Sequence, residues 1–269
     1  MSVITISRGE FSGGKMLAES LAVKLGYRSI DRDYIVGKAA ASGVSPEELR
    51  DALEIPPAFL DRFEHRKYIY LALIQAALAE EVQDGKVVYH GHGGQLLLKG
   101  APVFRVRIIA PMALRVRRCQ EQLPLGGDEA LAYIHRSDQE RRKWTQYLYG
   151  VDWGDPTLYD MVLNLENIDV EDATEAVAAV ACRQHCFAFG PGCRAAMRDL
   201  VIASRVKANL ALNSATADME VEIVSEDGRV RISGKASNPT QLTHADEVAR
   251  AVAGVTGVNL DALQAMSFV

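Results

Sequence analysis

The sequence predicts an α/β core, a mostly parallel sheet covered by helices, followed by a small α+β module. Three observations carry this. Over residues 1–185, short β-branched runs alternate with apolar stretches at helical spacing. Around "CFAFGPGC" the pattern breaks at glycine and proline. Beyond the break, two strand-like runs separated by "EDG" lie between helices. The expected organisation is a first domain over 1–185, a linker over 186–197 and a second domain over 198–269.

In chain order, "SVITIS" is a strand, "RGEFSGG" a glycine loop and "GKMLAESLAVKLGY" a helix. "RSIDRDYI" is a second strand passing into a helix. Helices are expected from Ser45 to Leu53, introduced by the capping-type "SPEE", and from Ala58 to Asp84. "KVVYHGHGG" is a buried-type strand running into glycines, and "VFRVRIIAP" is another, followed by the helix "LRVRRCQEQL". A long helix covers "DEALAYIHRSDQERRKWTQYLYG", "DMVLNLEN" is the last strand of the core, and "VEDATEAVAAVACRQH" closes it. The second domain reads as helix "AMRDLVIASRVKANLAL", strand "MEVEIVS", strand "RVRISGKAS", helix "LTHADEVARAVAGV" and a final strand.

With 48% hydrophobic and 24% charged residues among 269, the chain has the composition of a globular protein with a sizeable core. A net charge of -5 gives no general attraction to nucleic acid, so no nucleic-acid partner is expected. The N-terminal run lacks a signal-peptide pattern and no long apolar stretch occurs, which predicts a cytoplasmic protein without a transmembrane segment. The four cysteines are no disulfide framework.

Gly9, Gly14 and Lys15 match the spacing G-x-x-x-x-G-K between a strand and a helix. Glycines let backbone N–H groups approach phosphate, the helix N-terminus supplies positive potential, and lysine adds a movable ammonium. Met16 stands where a magnesium-binding hydroxyl is expected, so Mg2+ would be held mainly by phosphate oxygens, water and a carboxylate, with Ser12 and Asp31 as helpers. The segment "IHRSDQERRKW" supplies Arg136, Asp138, Arg141 and Arg142, cations suited to a transferring phosphoryl group; Asp138 and Arg141, three apart on a helix, share a face and could pair. "LRVRRCQ" places Arg115 and Arg118 on one side of a helix, where an arginine could stack on a base.

Two clusters invite a metal reading. His90 and His92 share a face of an extended strand without a third ligand, and the strand-end reading has His92 facing a nucleotide pocket. Cys182, His185, Cys186 and Cys193 offer soft ligands, although Cys182 and Cys186 one helical turn apart equally suit burial of small side chains; no metal site is assigned.

These residues together resemble the cytidylate kinase-like proteins, relatives of the nucleoside monophosphate kinases. The resemblance runs from about Ser2 to Val180 through "ISRGEFSGGKMLAESLAVKLGY", "IDRDYI", "VVYHGHGG", "VFRVRIIAPMALRVRR", "SDQERRKW" and "LYDMVLNLENIDVEDATEAV". It implies a P-loop kinase core, an acceptor region after the second strand and an arginine-bearing lid. Ser12, Gly13, Gly14 and Lys15 look like the donor cradle, Asp31 and Arg32 the start of the acceptor side, Arg115 the base-side arginine, and Asp138 with Arg141 the lid pair. Asp160 and Asn164 resemble polar positions near the final strand. Cytidylate kinases carry an arginine and an acid where this chain has His92 and Gly93, and a first arginine–aspartate lid pair where it has Ile134 and His135. Residues Arg198 to Val269 resemble a BON domain, with Gly228 at its hairpin turn and Gly234 at a tight position of its second strand.

The expectation is an ATP- and Mg2+-dependent phosphotransferase acting on a nucleoside monophosphate, CMP-like, or a related small phosphorylated acceptor. Lys15, Arg141 and Asp31 are its expected catalytic residues, Ser12, Gly13, Gly14 and Arg115 hold ATP, and Arg32, Arg136, Asp138 and His92 serve acceptor or lid. The alternative is a catalytically weak nucleotide sensor in which the C-terminal module docks a ligand or partner.

Overall fold

The computed structural model describes residues 2–54, 64–183 and 190–265. Five strands, β1 (Val3–Arg8), β2 (Arg28–Asp31), β3 (Val87–His90), β4 (Val103–Ile109) and β5 (Met161–Asn164), form one sheet in the order β2-β3-β1-β4-β5. Every pairing in it is parallel. The central strands β1 and β3 are buried along nearly their whole length, whereas β2 and β5 at the edges are partly exposed. That is the difference between continuous and interrupted apolar runs in the sequence.

Side chains alternate across β1. Ile4 and Ile6 join Phe104, Val106 and Ile108 of β4 against Leu17, Ala18 and Leu21 of α1 (Gly14–Leu25) and Val177 and Ala178 of α8 (Val170–Ala181). Thr5 and Ser7 therefore take the opposite face, from which Ser7 lines a cleft in front of the glycine loop. Between β4 and β5 lie α6 (Met112–Gln122) and α7 (Gly127–Tyr149), which clasp Cys119, Ala130 and Ile134 in a small core of their own. Ile134, at a position where a lid arginine was the alternative, is fully buried there.

The second sheet has the order β6-β7-β8, from β6 (Glu220–Glu226), β7 (Arg229–Ala236) and β8 (Gly257–Ala265). The first two strands are a hairpin whose Asp227 and Gly228 both have positive φ, 49° and 77°, as a type I′ turn requires. β7 and β8 run parallel, so the chain crosses over through α10 (Pro239–Arg250). Asp199 of α9 (Pro191–Leu212) accepts from Ser225 Oγ at 2.7 Å, Asp227 N at 3.0 Å and Gly228 N at 2.9 Å, pinning the turn. Gly234 has φ 129°, and a Cβ there would lie 2.1 Å from the Glu220 carbonyl oxygen.

The chain divides into two compact units that do not simply follow its order. The stretch Val36–Ala52, with most of α3 (Pro46–Glu54), and the described α4 (Glu64–Val82) belong with α9 to β8. The reason is the apolar surface of α4: Leu71, Ile74, Leu78 and Val82 are buried, and α4 packs along α9, where Arg205 Nε reaches Glu80 Oε1 at 2.6 Å. The expected linker also differs, because Pro191 starts α9 and residues 191–197 are helical; a proline has no N–H to lose at a helix start. The expected helix from Ala58 is described from Glu64 onward. The closing helix of the core ends at Ala181, and His185 and Cys186 lie outside the described residues.

Candidate active site

The loop between β1 and α1 opens a helix that no side chain caps and whose first turn has no acid. Its N–H dipoles are left for an anion. Gly13 sits at φ 96°, where a Cβ would come within 2.8 Å of Arg118 Nη1; a Cβ on Gly9 would come within 2.9 Å of Arg115 Nη2, and one on Gly14 within 2.7 Å of the Arg8 Cβ. The glycines are demanded by this close approach as well as by the turn. Ser12 is 1% exposed and its Oγ has no hydrogen-bond partner, as have Arg115 Nη2 and Arg118 Nη1. Buried groups of this kind ask for a partner that brings acceptors, which suits a phosphate-bearing ligand at the loop.

In front of the loop lies a cleft of about 400 Å³. It brings together Lys15, Asp31, Arg32, His92, Arg136 and Arg141 of the sequence-predicted residues, and adds Arg8 and Glu10. Ser12, Gly13, Gly14, Arg115 and Asp138 do not line it; they form the loop and what lies against it. Lys15 is at the rim, 62% exposed, with Nζ 3.9 Å from Glu19. Asp31 accepts the Tyr34 N–H at 2.8 Å and so fixes the start of α2 (Arg32–Ala39).

The helix α7 grips the loop through Glu10. Asp138 Oδ1 accepts the Glu10 N–H at 3.3 Å, while its Oδ2 lies 2.7 Å from Arg115 Nη1. Arg115 Nε in turn donates to the Glu10 carbonyl at 2.7 Å. Arg141 donates to the Arg8 carbonyl at 3.0 Å and to the Glu10 carboxylate. The expected Asp138–Arg141 pairing is therefore replaced: each has a loop or α6 partner instead, because α7 lies across the loop. Burial alone would raise the Glu10 carboxyl, but Arg141 and Arg8, with Arg115 behind them, hold it below the ordinary carboxylate value.

At the far wall, Tyr89 is fully buried beneath the "GHGG" turn. A Cβ on Gly91 would stand 2.1 Å from its hydroxyl and one on Gly94 2.5 Å from its ring. A Cβ on Gly93, at φ 71°, would stand 2.9 Å from Cζ3 of Trp144 in α7. His92 meets the same indole edge-on, ring centres 4.5 Å apart. Burial, then Arg141 and Arg32, push the His92 imidazole well below its ordinary value; burial and Arg8 lower His90. Both are neutral near pH 7. Asp160 accepts from the Arg105 N–H at 2.8 Å and from its guanidinium at 3.0 and 2.7 Å, between β4 and β5, and does not line the cleft. Cys182 is exposed and Cys193 half-buried; among the described residues no three acidic, histidine or cysteine side chains form a metal-holding group.

Arg8 and Glu10 escaped the sequence reading because "RGE" was read for its glycine alone. The available signal was an arginine ending a buried strand.

A model of the cytidylate kinase-like family matches residues 3–167, and a BON domain model matches residues 198–264. A cytidylate kinase of Pyrococcus horikoshii is 27% identical over 178 residues, 66% of this chain and 86% of that protein. One from Ignicoccus hospitalis is 30% identical over 182 residues, 66% of this chain and 97% of that protein. Among solved structures, an uncharacterised protein from Eubacterium ventriosum superposes with a TM-score of 0.53 at 17% identity, over 66% of this chain and 97% of that one, a likeness of fold.

Proposed function

This chain belongs to the cytidylate kinase-like family, and from that premise we propose that it transfers a phosphoryl group from ATP to a nucleoside monophosphate, CMP-like, or a related small phosphorylated acceptor. The observation that carries the reading is the convergence of Arg8, Lys15, Arg32, Arg136 and Arg141, from four different elements, on one cleft beside an uncapped helix N-terminus. Phosphoryl transfer asks little covalent chemistry of the protein; it asks for two bound substrates in line and for positive charge around the moving group. The loop N–H groups and Lys15 hold the donor, with Ser12 and Arg115 behind it. Arg32 and Arg136 take the acceptor's phosphate, and Arg141 stabilises charge on the group in flight. Mg2+ would be held by Asp31, water and phosphate oxygens, supplying charge neutralisation. Neutral His90 and His92 line the wall without adding charge.

The test is ADP formation from ATP and Mg2+ across the nucleoside monophosphates, with Lys15→Ala as control. One acceptor is expected to give turnover that falls about 100-fold or more in the variant. Full turnover in Lys15→Ala would remove the lysine from the mechanism. The second reading, a nucleotide sensor with docking through the BON-matching segment, is favoured by Met16, 52% exposed where a hydroxyl would ligate metal. Tight ATP binding with no ADP from any acceptor would select it.

A further inference from the structure

We infer that Glu10 is an internal anion that occupies the phosphate-binding arginines, so that a phosphoryl ligand enters the cleft by displacing its carboxylate. The inference rests on the reading of the cleft as a phosphoryl site. Glu10 stands inside the glycine loop itself, and its side chain, 21% exposed, lines the cleft with Arg8 and Arg141. One carboxylate oxygen accepts from Arg141 Nη2 and lies 3.5 Å from Ser137 Oγ; the other lies 3.7 Å from Arg8 Nη1. These are the contacts a phosphoryl oxygen would make.

Charge and mechanics both favour exchange. Two guanidinium groups face one carboxylate, which leaves them a net positive charge. A phosphoryl group of charge about −1.5 to −2 balances them better. The Glu10 backbone is held independently of its carboxylate, its N–H by Asp138 and its carbonyl by Arg115. Side-chain rotation alone therefore frees Arg8 Nη1 and Arg141 Nη2, while Arg141 Nη1 keeps the Arg8 carbonyl and the loop keeps its shape. Until that happens the Glu10 carboxylate holds Arg141 against the loop.

The experiment is calorimetric binding of inorganic tripolyphosphate to the full chain, its Glu10→Gln and Glu10→Asp variants, and Arg141→Met. Glu10→Gln keeps size and removes the competing charge, and should bind about ten- to a hundredfold tighter than the native protein. Glu10→Asp, charged but shorter, should fall between the two, so the inference does not depend on one variant. Arg141→Met should bind more weakly than the native chain. Equal or weaker binding by both Glu10 variants overturns the inference while leaving the phosphoryl reading intact. Absence of binding to every form overturns both. Tightened binding without phosphoryl transfer to any acceptor upholds the inference and rejects the transferase reading alone.

Discussion

Replacing Asp138 by Asn tests whether α7 truly holds the glycine loop. The Asp138–Arg115 pair is 2.7 Å long, with side chains 23% and 9% exposed, and the same carboxylate receives the Glu10 N–H. Asn keeps the shape and one acceptor oxygen but loses the charge. Its one oxygen can serve Arg115 Nη1 or the Glu10 N–H but not both as the carboxylate does, and Arg115 keeps its Nε bond to the Glu10 carbonyl either way. The loss is that of a charge-assisted contact, roughly 1.5–3 kcal/mol, lower than for removing a buried ion outright because an acceptor remains. Expressed as local opening, this is about ten- to a hundredfold in equilibrium. Hydrogen exchange by mass spectrometry should show that acceleration in peptides spanning residues 8–17 and 134–145 and none in peptides within residues 220–265. Unchanged exchange in the loop would refute the claim that Asp138 positions it.

Two further outcomes follow from burial and backbone geometry. An unfolded His92 titrates near 6.5, whereas in the fold its proton affinity is depressed, so the unfolded chain gains the proton first. Its contribution to stability is therefore complete above about pH 7 and is lost as pH falls through 6.5. His90 acts with the same sign. Urea midpoints at pH 7 and 5.5 should show the native protein losing about 1 kcal/mol more than His92→Gln; parallel losses would refute this. In the second unit, Gly234→Ala puts a methyl 2.1 Å from the Glu220 carbonyl oxygen at φ 129°. Strain and overpacking cost roughly 1–3 kcal/mol each, and a melting temperature equal to that of the native chain would show that the strands part freely.

What could be read from the sequence was what is local. "SVITIS", the glycine loop and the helix after it lie within one continuous stretch, and their periods change from two to 3.6 where the loop intervenes. The hairpin of the second unit was legible for the same reason, through Asp227 and Gly228. The pairing of Arg141 was not. Spacing on a helix nominates Asp138, yet the partner is Glu10, 131 residues away, and only the placement of α7 over the loop decides between them. The grouping of α4 with α9 was hidden likewise, since an apolar helix declares that it will be buried and not against what.

The "GHGG" turn shows how such distant contacts limit the chemistry. From sequence it was a departure, His92 and Gly93 where cytidylate kinases have an arginine and an acid. In the structure the departure is tied to two rings. Tyr89 fills the space beside Gly91 and Gly94, and Trp144 closes on Gly93 at a backbone angle that disfavours any side chain. An acid at 93 would displace the indole, and with it the α7 segment that also carries Arg141. An acid at 93 is therefore disfavoured while α7 stays where it holds the loop. On the proposed reading, recognition of the acceptor then falls to Arg32 and Arg136 across the cleft, with neutral His92 between them and the buried indole. On that reading the cleft keeps its cluster of cations and lacks the arginine and the acid that cytidylate kinases carry at the turn. It follows that selectivity among nucleoside monophosphates should be set by Arg32 and Arg136 more than by the turn.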